Sequence, residues 1–246
     1  MSGVARKVFV IGLGPGGFGQ LTLDAVDAMN SVDVFLVADS DDNQSDQVWR
    51  RSELIRRNVK RVHRVVTVLD PAHTQADDGE IAAARLAPYS QIMSGLPDDA
   101  TVGFLAWGDP AVYDSVLRVV DELRGAIPMD VTVIPGVSAP QLLAAAHAIA
   151  LNRAGQSVHL TIGARLLSEY HPGLGDFVVL DDADFTCQAL VAEFPDTELF
   201  WGAYLGTADQ VLASGPLRTV VPELQRVRQR LISQHGWIQD IYLLRS

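Results

Sequence analysis

Cysteine occurs once in the 246 residues, at Cys187. A single thiol excludes an intrachain disulfide framework and a zinc site built on cysteines. Cys187 itself reads as a small buried hydrophobe, not a nucleophile. Lysine is nearly absent: Lys7 and Lys60 stand alone, and the other basic residues are arginines. The planar guanidinium fork suits carboxylates and phosphates, so local basic sites stay open. The formal net charge of −11 lacks the basic footprint of a general nucleic-acid binder. No apolar run reaches bilayer-spanning length, and the first residues show no signal-peptide pattern. A cytoplasmic, soluble protein with no membrane or nucleic-acid partner is expected. The histidines at 63, 73, 147, 159, 171 and 235 show no ligand-type spacing, so no metal is expected. Internal repeats and low-complexity segments are also missing.

What is present is enough apolar content, 48%, to bury a real core in one large or two modest domains. The organising stretch is KVFVIGLGPGGFGQLTLD, Lys7 to Asp24. Val8 to Ile11 reads as a buried strand. Gly12, Gly14, Gly16, Gly17 and Gly19 follow around Pro15, and helical spacing starts at Leu21. Strand, glycine-rich turn and helix open an α/β domain. Gly12, Gly14 and Gly17 satisfy GxGxxG, and Asp39 falls where a ribose-binding carboxylate belongs. Against a dinucleotide site stand Pro15, which stiffens the turn, and the late helix start. A structural turn without ligand is the alternative reading.

Further strands are expected at Asp33 to Ala38, Val62 to Leu69, Thr101 to Trp107 and Val131 to Ile134. Helices are expected at Gln47 to Val59, Thr74 to Gly95 and Ala111 to Arg124. This alternation implies a parallel sheet with right-handed crossovers. The cluster Arg50, Arg51, Arg56 and Arg57 reads as a solvated helix face in preference to an anion site. Beyond residue 136 the rhythm changes. Strands are expected at Ser157 to Ile162, Phe177 to Leu180, Leu199 to Leu205 and Ile238 to Leu244. Helices are expected at Gln141 to Ala150, Ala183 to Glu193 and Pro222 to Gln234. Short connections around Gly206 and Gly215 allow antiparallel neighbours, so the second sheet is expected to be mixed. The domains are set at 1–136 and 137–246.

Ligands in open α/β sheets sit at the carboxyl ends of the strands. The loop after the fourth strand, WGDPAVYDS, places Asp109 as an N-cap and Pro110 at the first helical position. The loop after the fifth strand, PGVSAPQ, offers Ser138 as an N-cap. Three glycine-containing loops thus meet at one sheet edge.

These loops, GLGPGG, GDPAVYDS and IPGVSA, resemble those of the tetrapyrrole (uroporphyrinogen-III C-methyltransferase type) methylases. The resemblance covers essentially the whole chain. At His147 to Leu166, Leu199 to Leu217 and His235 to Arg245 it narrows to a deacetylating branch acting in cobalamin (corrin) biosynthesis. It implies two α/β domains with S-adenosylmethionine in the cleft between them, a homodimer, and a tetrapyrrole substrate. It also implies methylation at C-1 of the macrocycle coupled to loss of acetate. Carried over by position, the cofactor residues are Gly12, Leu13, Gly14, Pro15, Gly16, Trp107, Gly108, Asp109, Val112, Tyr113, Ser138, Ala139, Leu180, Tyr204 and Leu205. Candidates for substrate binding and deacetylation are Arg153, His147, Asp39 and Tyr204, with Asn152, His159 and Arg165 behind them. One departure stands out: the family's first loop continues with an acidic residue and a proline, whereas Gly17, Phe18 and Gly19 occupy that stretch here.

Overall fold

A computed structural model of the chain describes residues 5–39, 45–69, 78–112 and 115–246, with the side chains of 39, 45–48, 69 and 78–85 left out. The chain divides into two compact units, Met1–Ser138 and Ala139–Ser246.

In the first unit β1 (Arg6–Gly12), β2 (Val34–Asp39), β3 (Arg64–Leu69), β4 (Val102–Ala106) and β5 (Met129–Ile134) form one sheet. Its order is β3-β2-β4-β1-β5, and every neighbouring pair is parallel. The central strands β1, β2 and β4 are mainly apolar on both faces, as a covered parallel sheet requires, while the edge strands β3 and β5 are more polar and more exposed. Val8, Val10, Leu36 and Phe104 face Tyr89 and Met93 of α3 (Asp78–Ser94) and Val119 and Leu123 of α4 (Val116–Arg124). Ile11, Phe35, Val37 and Leu105 face Ala25 and Met29 of α1 (Leu23–Met29) and Leu54 and Ile55 of α2 (Ser45–Asn58). Thr22 starts α1, its hydroxyl accepting from the Ala25 N–H at 3.1 Å. Neighbouring strands β1 and β4 therefore send their chains to helices on opposite faces. That divergence is a topological switch point, and it opens the sheet at their carboxyl ends.

The second unit carries the expected mixed sheet. β6 (Val158–Ile162), β7 (Asp176–Leu180), β8 (Glu198–Ala203), β9 (Val211–Pro216) and β10 (Asp240–Arg245) run in the order β6-β7-β10-β8-β9. Only β6 and β7 pair in parallel. Leu143 of α5 (Ala139–Ala146) covers one face, with Val178, Ile241 and Leu243. Leu166 of α6 (Gly163–Glu169) and Val221, Leu224 and Leu231 of α7 (Leu217–His235) cover the other. The helix expected over 183–193 is a 3₁₀ helix, Thr186–Leu190. The Asp182 carboxylate takes both the N–H and the hydroxyl of Thr186, and Phe185 is left-handed, so an α-helix cannot start there. Among the described residues no helix is long and apolar enough to cross a membrane.

Two buried ionic knots tie this sheet. Asp176 at the start of β7 accepts from Arg153 at 2.6 Å and from Arg245 at 2.9 Å. Arg228 of α7 donates to Asp240 at 2.7 Å and to the Asp182 carbonyl at 2.8 Å, while the Trp201 indole shares Asp240 at 2.7 Å. Burial pushes the Asp240 carboxyl up, and Arg228 opposes that push. Removing the cation from a buried pair costs about 3–5 kcal/mol because the carboxylate is left uncompensated. Arg228→Ala is therefore expected to lose that much stability in urea unfolding near neutral pH. In the variant the folded-state carboxyl titrates above its unfolded value, so its stability contribution is present at low pH and lost as pH rises. The penalty should shrink as the pH is lowered and the raised carboxyl takes up its proton; an unchanged penalty would clear Asp240 of the blame.

Candidate functional site

Three loops meet at the carboxyl edge of the first sheet because three glycines let their main chains touch. A Cβ on Gly12 would stand 2.5 Å from the Gly136 nitrogen and 2.9 Å from the Gly108 oxygen. A Cβ on Gly136 would run into the same Gly108 oxygen. The β1 and β4 loops then pair directly: Gly14 N–H donates to Gly108 at 3.1 Å and Gly108 N–H to Gly14 at 3.0 Å. Both glycines hold positive φ, +73° and +64°, to make that exchange.

Asp109 stitches the third loop in. Its Oδ2 accepts from Gly136 N–H at 3.0 Å and its Oδ1 from Ala111 N–H at 2.8 Å. The expected N-cap role needs correction. The Asp109 carbonyl accepts from Val112 N–H at 3.0 Å, closing a tight turn, and α4 starts only at Val116 behind Ser115. Leu13 sends its side chain into the core beside α1. Pro15, Gly16 and Gly17 are buried, Val112 is half-buried, and Ser138 is buried directly ahead of α5. Tyr113 lies outside the described residues.

Gly17 is extended and its N–H donates to Gln20 Oε1 at 2.9 Å. Phe18–Gln20 is a 3₁₀ turn, and α1 waits until Leu23. The third glycine of GxGxxG therefore opens no α-helix, and the dinucleotide reading loses its physical basis. Asp39 ends β2, at the same sheet edge.

The arginines of α2 are not a plain solvated face. Arg51 donates to the Ala38 carbonyl at 2.7 Å, with its guanidinium 5.1 Å from the centre of the half-buried Trp107 ring. Arg57 lies 3.9 Å above Phe18. Their sequence signal was the cluster itself; the α2 register that turns it towards the loops depends on the fold. Gly136, inside the Pro-Gly turn, was readable as a close approach but was not singled out as a site residue.

In the second unit β7 and β8 both run opposite to β10, so their carboxyl ends lie together. Leu180 ends β7, and Tyr204 and Leu205 follow β8. Asp181 and Tyr204 are left-handed, both at φ +49°. Such strain, of order 1–3 kcal/mol at a non-glycine, persists where surroundings over-determine it. Here the buried Tyr204 is restrained from several sides: its N–H donates to the Gln239 carbonyl at 2.9 Å, its hydroxyl to the Trp237 carbonyl at 2.7 Å, its own carbonyl accepts from the Thr207 hydroxyl at 2.8 Å, and its ring sits 4.8 Å from His235.

Arg153 and His147 do not join that group. Arg153 is paired with Asp176 at the amino end of β7, the opposite end of the sheet. His147 bonds the Trp201 carbonyl at 3.0 Å and meets Phe200 edge-on. His159 stacks on Phe177, and Arg165 pairs with Glu169. Cys187 is fully buried, and that burial pushes its thiol far up, away from nucleophilic chemistry.

The sequence model of the Tetrapyrrole (Corrin/Porphyrin) Methylases matches residues 7–221. The chain is 33% identical to a precorrin-6A synthase [deacetylating] from Sinorhizobium sp, over 98% of this chain and 95% of that one. A cobalamin synthesis related protein (CobF) from Corynebacterium diphtheriae superposes with a TM-score of 0.85 at 32% identity, covering 98% of this chain and 99% of that chain. The uroporphyrin-III C-methyltransferase of Thermus thermophilus, complexed with S-adenosylhomocysteine, shares the fold. It has a TM-score of 0.57 at 18% identity, covering 97% and 91% of the two chains.

The loop geometry makes its own prediction. Asp109→Ala strands two main-chain donors and should cost about 1–3 kcal/mol in urea unfolding. Asp109→Asn keeps a carbonyl acceptor and should recover part of that loss. Equal losses in the two variants would show that the carboxylate charge, not the bond to Gly136, matters.

Proposed function

The chain belongs to the tetrapyrrole (corrin/porphyrin) methylase family, and on that premise we propose that it is the deacetylating precorrin-6A synthase of cobalamin biosynthesis. It takes a methyl from S-adenosylmethionine to C-1 of precorrin-5 and releases acetate. The full-length likeness to the Sinorhizobium synthase carries this reading.

The residues fit such a cofactor. The first-unit loops offer mainly backbone carbonyls and N–H groups, and Leu13–Gly16 and Trp107–Asp109 carry no lysine. A cationic sulfonium is better served by carbonyl oxygens than by a phosphate cradle. Bound there, S-adenosylmethionine supplies an electrophilic methyl group. We assign its binding to Gly12, Leu13, Gly14, Pro15, Gly16, Trp107, Gly108, Asp109, Val112, Tyr113, Ser138 and Ala139, with Leu180, Tyr204 and Leu205 of the second unit. Most of the catalytic gain in a methyl transfer is positioning. The glycine contact and the Asp109 stitch supply it by fixing the loops before ligand arrives. Tyr204 contributes through a main chain held in one strained conformation.

Deacetylation asks for a base and a carbonyl polariser. Asp39 and Tyr204 keep their candidacy, being at strand carboxyl ends. Arg153 and His147 are reassigned to holding the second unit together, through Asp176 and the Trp201 carbonyl. A homodimer in the cytoplasm completes the reading.

Calorimetry with S-adenosylhomocysteine, with NADH as control, tests the cofactor: saturable binding of the first alone is expected. Incubation with methyl-labelled S-adenosylmethionine and precorrin-5 should then yield labelled precorrin-6A and one acetate per methyl. Methyl transfer without acetate would move the protein to another ring position within the family, and NADH binding alone would overturn the reading.

A further inference from the structure

We propose that Arg50 is a specificity-determining residue that pairs with a carboxylate of the ligand held by the β1 loop. The proposal rests on the methyltransferase reading above. It starts from the four arginines that α2 carries on residues 50–57.

Three of them have settled occupations. Arg56 and Arg57 both bond Glu53, with N–O distances of 2.6 Å, and Arg57 also covers the Phe18 ring. Arg51 is fixed between the Ala38 carbonyl and the Trp107 ring. Arg50 differs. Among the described residues its guanidinium makes one hydrogen-bond contact, 3.5 Å to the Gly16 carbonyl, which is at the outer limit of a hydrogen bond. It is half-buried, so it carries part of the cost of desolvation, and no carboxylate among the described residues offsets it.

Its position is not left to chance. The neighbouring contacts of Arg51 and Arg57, and the edge-on packing of Trp49 against Phe18 at 6.3 Å, lock α2 to the end of β2 and to the loops after β1 and β4. Arg50 is thereby carried to the rim of the glycine loop, above Gly16. In a chain of net charge −11, a cation held at that rim acts locally. A guanidinium fork recognises a carboxylate in two parallel bonds. Two carboxylates belong to the reaction: the amino-acid end of the cofactor, and the acetate and propionate arms of the macrocycle.

The test compares wild type, Arg50→Ala and Arg50→Lys. It measures affinity for S-adenosylhomocysteine, affinity for 5′-methylthioadenosine, which lacks the carboxylate, and KM and kcat with precorrin-5. Thermal melting checks the fold of each variant. If the cofactor is read, Arg50→Ala weakens S-adenosylhomocysteine by about tenfold to a hundredfold, leaves methylthioadenosine unchanged, and Arg50→Lys recovers part of the loss. If the macrocycle is read, both nucleosides bind as before and KM for precorrin-5 rises with kcat retained. Equal weakening of both nucleosides would reduce Arg50 to a loop anchor and overturn the proposal, as would no change in any measurement. Wild type that binds neither nucleoside would strike down the cofactor reading, and this proposal with it.

Discussion

The contact among Gly12, Gly108 and Gly136 is the constraint on which the first unit's candidate site depends. Parallel strands stand at a fixed spacing, and their ends would splay if side chains filled the space between them. Main chain against main chain removes that space. The reciprocal bonds of Gly14 and Gly108 then extend the pairing of β1 and β4 beyond the strands, into the very place where the chain diverges to opposite faces. A switch point usually leaves a gap. Here its floor is a sewn strip of backbone, with Asp109 as the third thread. The departure at Gly17 to Gly19 is absorbed in the same way: Gln20 closes the turn, and Phe18 finds Trp49 and Arg57 on α2.

The second unit solves its own strand-end problem with charge. Arg228 reaches from α7 to Asp240 and to the carbonyls of Asp182 and Ala183, drawing the left-handed turn at 181–185 against the first residue of β10. Tyr242 donates to Asp182 from the neighbouring strand at 2.5 Å. A buried ion pair is a poor source of net stability, because desolvation offsets most of its attraction. Its directional bonds do fix which turn conformation is adopted. That is what strained residues such as Asp181 need.

Much of this was legible in the sequence, and for identifiable reasons. Uninterrupted apolar runs such as Val34 to Val37 announce strands covered on both faces, and their alternation with helices forces the parallel order. The short link at Gly206 announced an antiparallel neighbour, whereas Gly215 lies inside that neighbour, β9. The family followed from the order of three loops. Other features were hidden because side chains outside the local pattern decide them. Asp109 spends its carboxylate across loops, which delays α4. The strand Val211–Pro216 is half-exposed and carries Ala213, Ser214 and Gly215, so its alternation is faint. Arg153 reads from the sequence as a ligand for substrate carboxylates; in the fold it is paired with Asp176, a carboxylate of its own unit. An arginine's appetite for carboxylate is readable; which carboxylate answers it depends on the fold.

The strand order also governs how the chain is made. β1 pairs with β4 and β5 and not with β2, so Val8 has no sheet partner before Val102 and Val131 exist. During synthesis both edges of the first strand wait, apolar and unpaired, while the intervening segments leave the ribosome. Contacts so distant in sequence close slowly, and an exposed edge recruits other strands. The glycines that finish the site can come together only when the fifth strand arrives. Until then a nascent chain has most of its helices, none of its loop geometry, and a standing need for shelter from its neighbours.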